Sequence, residues 1–196
     1  MVSIWPSSCK TTLEMNVIPT RIPDVKIIRP RVFDDPRGYF LESWNRRTYS
    51  DAGLNAEFVQ DNQSRSTQGV LRGLHYQVRH PQGKLVRVST GAVYDVTVDL
   101  RRSSPTFGEW VGVILSDENH QMLWVPPGFA HGYLVLSESA DFLYKCTDYY
   151  EPGAERTICW NDADLGIDWP LPDGIELVLS PKDKAGVPFR DAEYFS

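Results

Sequence analysis

The sequence predicts an all-β protein, an antiparallel sandwich, jelly roll or barrel with only a few short helices. From Val25 onward the chain divides into short runs rich in β-branched and aromatic residues, each flanked by Gly, Pro, Asp, Asn or Ser. One of these runs alternates polar and apolar residues strictly, and almost no stretch between the runs has a helical period. Short strands at regular spacing with few helices between them are typical of antiparallel folds.

The predicted strands follow one another along most of the chain. They are VKIIRPRVF, GYFLESW, LVRVSTGAVYDVTVDL, EWVGVILS, MLWVPPGFAHGYLVL, DFLYKCTDYY and RTICW. Alternation is clearest from Val93 to Leu100, where Tyr94, Val96 and Val98 share an apolar face and Asp95 lies on the other. We expect the apolar face to pack the core between the sheets. Asp95 would then look into the lumen of a barrel that contains a ligand site.

Helical signals are sparse. The stretch from Asn45 to Leu54 predicts one or two turns that stop at Gly53, and the residues after Pro181 predict a short terminal helix. After Trp169 the composition shifts to Pro, Asp and Gly, so residues 170–196 are interpreted as a tail packed over the barrel mouth. We expect one domain over residues 15–196, with its jelly-roll core at about residues 22–169.

Composition limits the classes of function. The 196 residues, 41% of them hydrophobic, suit one well-filled core, and a net charge of −6 does not favour a nucleic-acid partner. The three cysteines, Cys9, Cys146 and Cys159, lack the spacing of a zinc site or a disulfide scaffold, which indicates a reducing cytoplasm. Residues 1–14 contain no apolar run long enough for a signal peptide or a spanning helix. They are predicted to be a disordered extension, and no membrane partner is expected.

The densest polar cluster comprises Arg72, His75 and Lys84, on two adjacent predicted strands. Period two places His75 on the face of Leu71 and Gly73, and Arg72 on the other face unless the strand bends or bulges at the glycine. A lone histidine in a β-rich chain is more often structural than catalytic. The neighbouring cations strengthen the case for a functional histidine here.

A Pro-Gly turn delivers His131 three residues later, in the P-x-G-x-x-H pattern that is typical of cupin barrels. In metal-binding cupins this histidine joins an earlier H-x-H strand, usually with a carboxylate. Here His75 is followed by Gln77, so the H-x-H pair is missing. Lys84 stands close to where the carboxylate would be needed, and an ammonium beside a divalent cation is unfavourable. The pattern predicts a cupin without a metal.

A third candidate lies in the run FLYKCTDYY, where Tyr144 alternates with Cys146 and Asp148. Tyrosine in a strand is most often core packing. If Tyr144 faces His75 and Lys84, however, the three groups suit proton abstraction next to a carbonyl. The histidine takes the proton, the lysine stabilises the enolate oxygen, and the tyrosine returns a proton from the opposite face.

Two charged segments, around DDPRGYFLES and VQDNQS, have two interpretations. They are ordinary solvated loops, or they bind a ligand. In the second case Arg37 and Arg72 would suit a diphosphate, and Glu42, Gln60 and Asn62 would suit a base or sugar. Composition leaves both open.

Ten segments in order, between about Ile22 and Lys184, closely resemble the dTDP-4-dehydrorhamnose 3,5-epimerase family of cupin-type enzymes. They are DDPRGYFLES, FVQDNQSRS, GVLRGLHYQ, QGKLVRV, GAVYDVTVDLR, SPTFGEWVG, WVPPGFAHGYLVLSE, FLYKCTDYY, WNDADLGIDWP and LSPKD. The resemblance implies a jelly-roll homodimer without cofactor or metal. It also implies conversion of dTDP-4-dehydro-6-deoxy-D-glucose to dTDP-4-dehydro-6-deoxy-L-mannose, on the way to dTDP-L-rhamnose.

The resemblance also implies residue roles. His75 corresponds to the proton acceptor, Tyr144 to the proton donor and Lys84 to the enolate stabiliser, while Asp183 orients His75 and Asp95 is a second acidic neighbour. Positions that contact the nucleotide, diphosphate or sugar are Arg37, Glu42, Gln60, Asn62, Arg72, Lys84, His131, Glu155 and Lys182. In this family the segment with Arg37 and Glu42 reaches into the partner's site.

Rival functions remain compatible with the same cavity. Relatives invert only C3 or only C5, and similar cupins shift the keto group between C3 and C4. The tyrosine of FLYK, the pair Tyr149-Tyr150 and the dense match favour the double epimerase. Outside the family, a metal-dependent cupin oxygenase would require a transition metal, and a sugar-nucleotide sensor would bind substrate without exchanging its hydrogens.

Overall fold

Strands make up most of the regular structure. The computed structural model describes residues 15–171 and 174–196, so the extension predicted at residues 1–14 lies outside the described residues. The strands are β1 (Asn16–Pro19), β2 (Lys26–Arg29), β3 (Val32–Asp35), β4 (Gly38–Leu41), β5 (Gln60–Thr67), β6 (Leu71–Gln77), β7 (Lys84–Thr90), β8 (Ala92–Asp99), β9 (Trp110–Ser116), β10 (Met122–Val125), β11 (Phe129–Val135), β12 (Ser139–Cys146) and β13 (Glu155–Thr157). The helices are α1 (Arg46–Asp51) and α2 (Pro181–Lys184), with 3-10 turns at Pro152–Ala154 and Phe189–Asp191.

Two antiparallel sheets form the body of the fold. The first has the order β1-β2-β10-β7-β12-β5 and the second β13-β6-β11-β8-β9, while β3 and β4 form a separate hairpin. Val86 and Phe142 of the first sheet pack against Val93 and Val135 of the second in one buried cluster. Neighbouring strands such as β7 and β10 are distant in sequence, as in a jelly roll. The prediction of an all-β antiparallel fold is confirmed.

The alternating strand β8 is buried on both faces, which corrects one expectation. Its apolar residues Val96 and Val98 do not pack between the sheets. They lie under the chain that follows β13, in a second cluster with Leu165 and Trp169. Asp95 is fully buried on the other face. The expectation was wrong because the C-terminal part of the chain covers the outer side of this sheet, so the most apolar face of β8 is not the face of the barrel interior.

Both predicted helices are present. Asn45 caps α1 by accepting hydrogen bonds from the Arg47 and Thr48 amides, and the chain leaves the helix before Gly53, whose φ is +82°. In α2, Ser180 and Asp183 form a capping box. No helix among residues 15–171 and 174–196 is long and apolar enough to cross a membrane.

The C-terminal segment is fastened to β6 and its neighbours by main-chain hydrogen bonds. The Leu71 amide donates to the Val178 carbonyl at 3.0 Å, and the Val178 amide donates to the Gly69 carbonyl at 2.9 Å. Further on, Val187 bridges Ile158. These contacts fix α2 against β6, and Asp183 is consequently buried beside that strand.

Strand β6 changes phase at Gly73. Opposite β11, His75 pairs with His131 but Arg72 pairs with Tyr133, so the register shifts between the two pairs. Gly73 has a φ of +133°, and a Cβ there would lie 2.5 Å from the Cα of Gly132 on β11. The glycine therefore permits a close approach of the strands, and Arg72 and His75 both line the same cavity. This is the irregularity that the sequence left as an alternative.

Candidate active site

A cavity of about 330 Å³ opens between the two sheets. It collects most of the site residues that the sequence predicts. Those that line it are Gln60, Asn62, Arg72, His75, Lys84, His131, Tyr144, Glu155 and Lys182. They come from both sheets and from α2, so the cavity depends on the whole fold.

His75 and Asp183 form a buried pair at the cavity wall. Nε2 of His75 lies 2.7 Å from Oδ1 of Asp183, whose side chain is only 3% exposed. Oδ1 also accepts from the Gly73 amide at 3.0 Å, and Oδ2 accepts from the Ser180 hydroxyl. The capping box of α2 thus holds a carboxylate at a defined place behind the histidine.

These contacts set the charges of the pair. Burial by itself raises the pKa of the Asp183 carboxyl, but the close contact with His75 and the hydrogen bonds from Ser180 and Gly73 outweigh it and hold that pKa well below its usual range. Burial lowers the pKa of His75, and the charge of Lys182 adds to this, while Asp183 opposes it. At neutral pH the imidazole is therefore neutral and can accept a proton.

Lys84 and Tyr144 lie on adjacent strands of the six-stranded sheet, facing the same cavity as His75. Nζ of Lys84 is 6.0 Å from the centre of the Tyr144 ring. Burial lowers the pKa of the Lys84 ammonium, an effect opposed by Cys146, Asp95 and Glu155. Burial also raises the pKa of Tyr144 to about 12, so the phenol keeps its proton at neutral pH.

A second histidine and carboxylate pair lies beside the first. Nε2 of His131 is 2.9 Å from Oδ2 of Asp95, and both side chains are buried. Burial raises the pKa of the Asp95 carboxyl, and His131 and Lys84 oppose that rise. Because His131 pairs with His75 across β11 and β6, the expectation that Asp95 lies near the site agrees with the geometry.

The rim of the cavity carries polar groups from three segments. Lys182 donates to Glu155 at 2.8 Å, and the Tyr150 hydroxyl donates to the other oxygen of Glu155 at 3.0 Å. The Tyr150 amide donates to Gln60, whose own amide group donates to Asn62. An ammonium group at this rim suits the oxygens of a diphosphate, and the side-chain amides suit a nucleobase.

Arg37 and Glu42 do not line this cavity. The Arg37 side chain is 89% exposed on the β3–β4 hairpin and pairs with Asp35. Glu42 accepts from Asn45 and Thr48 at the start of α1. Within the chain these residues serve the hairpin and the helix, so the predicted contact of Arg37 and Glu42 with the ligand is not seen in this cavity.

The cavity is also lined by residues that were not predicted from the sequence, among them Ser64, Tyr133 and Phe142. Ser64 follows Gln60 and Asn62 at period two along β5, and Tyr133 follows His131 at period two along β11. That spacing is a signal that could have found them.

Among the described residues, no group of three or more His, Cys, Asp or Glu side chains is arranged to hold a metal ion.

Comparison with known proteins gives one consistent result. A family model described as dTDP-4-dehydrorhamnose 3,5-epimerase matches residues 19–191. A Pseudomonas aeruginosa protein named dTDP-4-dehydrorhamnose 3,5-epimerase is 59% identical over 175 residues, which cover 89% of this chain and 96% of that protein.

Solved structures of similar proteins include complexes with dTDP-linked sugars. The crystal structure of dTDP-6-deoxy-D-glucose-3,5-epimerase RmlC from Legionella pneumophila in complex with dTDP-4-keto-L-rhamnose is 54% identical, with a TM-score of 0.89 over 92% of this chain and 95% of that one. ChmJ, a 3'-monoepimerase from Streptomyces bikiniensis in complex with dTDP-quinovose, is 32% identical, with a TM-score of 0.79 over 87% of this chain and 86% of that one.

Proposed function

Because the chain belongs to the dTDP-4-dehydrorhamnose 3,5-epimerase family, we propose that it inverts C3 and C5 of dTDP-4-dehydro-6-deoxy-D-glucose to give dTDP-4-dehydro-6-deoxy-L-mannose. The observation that carries this proposal is the arrangement of one cavity. The imidazole of His75, the amine of Lys84 and the phenol of Tyr144 line it together, and at neutral pH the imidazole is neutral and the phenol keeps its proton. These are the groups that an enolate mechanism requires.

The proposed reaction begins with proton abstraction beside the C4 ketone. His75 takes the proton from the ring carbon, and the electron pair of that C–H bond moves to the C4 oxygen as an enolate. The Lys84 ammonium stabilises the negative oxygen. Tyr144 then gives its proton to the same carbon from the other side. His75 belongs to the five-stranded sheet and Tyr144 to the six-stranded one, so the base and the acid lie on opposite walls.

One base and one acid serve both inversions. The C4 ketone acidifies the hydrogens of both neighbouring carbons, so rotation of the sugar about its diphosphate link would present C3 and C5 to His75 in turn. Arg72, Lys182 and the amides of Gln60 and Asn62 are proposed to hold the nucleotide and diphosphate during that rotation. A tethered sugar makes each proton transfer effectively intramolecular.

Product stereochemistry tests this function against the single epimerases. We expect purified protein to convert dTDP-4-dehydro-6-deoxy-D-glucose to a product whose NMR couplings show both C3 and C5 inverted. A product inverted at one carbon only would identify a monoepimerase, which is the activity that the name of ChmJ gives. Binding of the substrate without any conversion would indicate a sugar-nucleotide sensor. Conversion that depends on added transition metal would indicate a metal-dependent cupin enzyme.

Asp183 is proposed to orient His75 and to increase its basicity, and Asp183→Asn tests that role. We expect kcat to fall by about 10² to 10⁴-fold, because the imidazole loses the carboxylate that fixes its tautomer. Asp183 also raises the pKa of His75, so its loss lowers that pKa further. The acid limb of the kcat/KM profile should therefore move to lower pH. An acid limb that stays in place or moves to higher pH would contradict the role.

A homodimer is proposed to complete each site. The β3–β4 hairpin exposes Phe33, Tyr39 and Phe40 by 38%, 53% and 67%, and it also carries Arg37. Exposed aromatic residues beside an arginine are typical of protein interfaces. We propose that this hairpin and Glu42 reach the cavity of a second subunit, where Arg37 meets the nucleotide.

Mixing two inactive variants tests the shared site. At substrate concentrations well below the KM of the wild type, Arg37→Ala and Lys84→Met are each expected to have little activity. If subunits exchange, an equal mixture should regain about a quarter of the wild-type sites, since half of the dimers are mixed and each has one intact site. Activity equal to the sum of the separate variants, despite subunit exchange shown by mass spectrometry, would mean that each chain builds its own site.

A cytoplasmic location without nucleic-acid or membrane partners is also proposed. Within the part of the chain that the structure describes, Cys146 and Cys159 are free thiols, which suits a reducing compartment. The proposed chemistry uses protein side chains and needs no cofactor.

A further inference from the structure

A second phenol faces the cavity, and the reaction proposed above leaves it without a role. Tyr133 lies on β11 of the five-stranded sheet, is 5% exposed, and stacks on Phe142 of the other sheet with ring centres 4.1 Å apart. Its hydroxyl is 2.9 Å from Oγ of Ser64 on β5. This hydrogen bond joins the two sheets across the cavity.

Ser64 and Tyr133 line the same cavity as Tyr144. Strand β5 is the last strand of its sheet, and Ser64 is partly exposed there. Tyr133 and Tyr144 both pack on Phe142, at 4.1 Å and 6.0 Å between ring centres, and both line the same cavity. The hydrogen-bonded hydroxyls of Ser64 and Tyr133 and the phenol of Tyr144 therefore share one cavity.

The proposed function creates a need for such a path, and the inference rests on that function. After the first inversion His75 carries an extra proton and Tyr144 has lost one. A second inversion by the same pair requires both groups to be reset. A phenolate in this cavity is a strong base, because burial raises the pKa of Tyr144 to about 12.

We propose that Ser64 and Tyr133 form a hydroxyl relay that returns a proton to Tyr144 between the two inversions. A water molecule in the cavity carries the proton from Tyr133 to the Tyr144 phenolate: the Tyr133 O–H bond breaks, the Tyr144 O–H bond forms, and the water molecule is unchanged. Tyr133 then takes the Ser64 proton, and Ser64 takes one from a water molecule at the edge of β5. The hydroxide that remains is neutralised by the proton that His75 releases to water, so no proton is gained or lost overall.

Hydroxyl groups suit this task because each can donate one hydrogen bond and accept others. Of the two hydroxyl protons of Ser64 and Tyr133, one lies in the hydrogen bond between them and the other can be donated to a neighbouring group. Either group can be the donor at 2.9 Å, so the proton order can reverse by rotation of the hydroxyls alone.

Tyr133→Phe tests the relay, since it keeps the ring stacked on Phe142 and removes only the hydroxyl. Exchange at C3 and C5 is followed separately by NMR in deuterated water. We expect the first exchange to stay within about twofold of wild type and the second to slow by about tenfold or more, so that singly inverted sugar accumulates. Tyr76→Phe is the matched control, because Tyr76 is buried on the other side of the five-stranded sheet.

Ser64 provides an independent pair of variants. Ser64→Ala should reproduce the delayed second exchange, and Ser64→Thr, which keeps a hydroxyl, should restore it. Parallel loss of both exchanges, an unchanged second exchange, or equal behaviour of Ser64→Ala and Ser64→Thr would overturn the relay. If Tyr133→Phe does not fold, the Ser64 variants decide. Absence of exchange in the wild type would instead contradict the proposed function itself.

Discussion

Replacing His75 with alanine is expected to abolish hydrogen exchange at both C3 and C5. The variant loses the proposed base for both inversions, the imidazole whose Nε2 lies 2.7 Å from the buried Asp183 carboxylate. A positioned base contributes about 10² to 10⁴-fold to such a reaction, so turnover should fall by at least that range. The measurement is NMR of the sugar hydrogens in deuterated water, with substrate affinity determined separately by calorimetry.

His80→Ala is the matched control for this variant. His80 is 67% exposed and pairs with Asp148 outside the cavity lining, so its removal should leave exchange unchanged. Persistent exchange at either carbon in His75→Ala, with a folded protein, would mean that a different base acts there. The nearest alternative is His131, which is held by Asp95 on the adjacent strand.

The second large effect is expected for Lys84→Met, which keeps the aliphatic stem and removes the ammonium. The enolate charge exists mainly in the transition state and the intermediate. We therefore expect kcat to fall by about 10² to 10³-fold, while KM changes by no more than about threefold. Steady-state kinetics on purified protein separates the two parameters.

Lys145→Met is the control for loss of a lysine on a neighbouring strand. Lys145 pairs with Asp61 on β5 and does not line the catalytic cavity, so kcat should stay close to wild type. A Lys84→Met variant with raised KM and normal kcat would assign Lys84 to ground-state binding alone.

Local features of the fold were predictable from the sequence. The helix that stops before Gly53, the short helix after Pro181 and the alternation along β8 each depend on residues close together in the chain. The direction in which the apolar face of β8 points was not predictable, because it depends on Leu165 and Trp169, which fold back over that sheet.

The same division holds for the site. The Pro-Gly turn before His131 was readable as a motif, but the phase of β6 depends on how closely Gly73 approaches Gly132 on a distant strand. Asp183 lies 110 positions from Gly73, which it contacts, so only the family resemblance indicated its role. The position of Tyr133 in the cavity wall was not predicted, because a tyrosine in a strand has the same sequence pattern whether it packs a core or faces a cavity.

The central claim is that one base and one acid in this cavity exchange the hydrogens of two carbons with solvent. Its most direct test is the conversion of dTDP-4-dehydro-6-deoxy-D-glucose by the wild-type protein in deuterated water. We expect a product with both centres inverted and deuterium at C3 and at C5. An inverted centre that retains its original hydrogen, or a carbon that neither inverts nor exchanges, would contradict it.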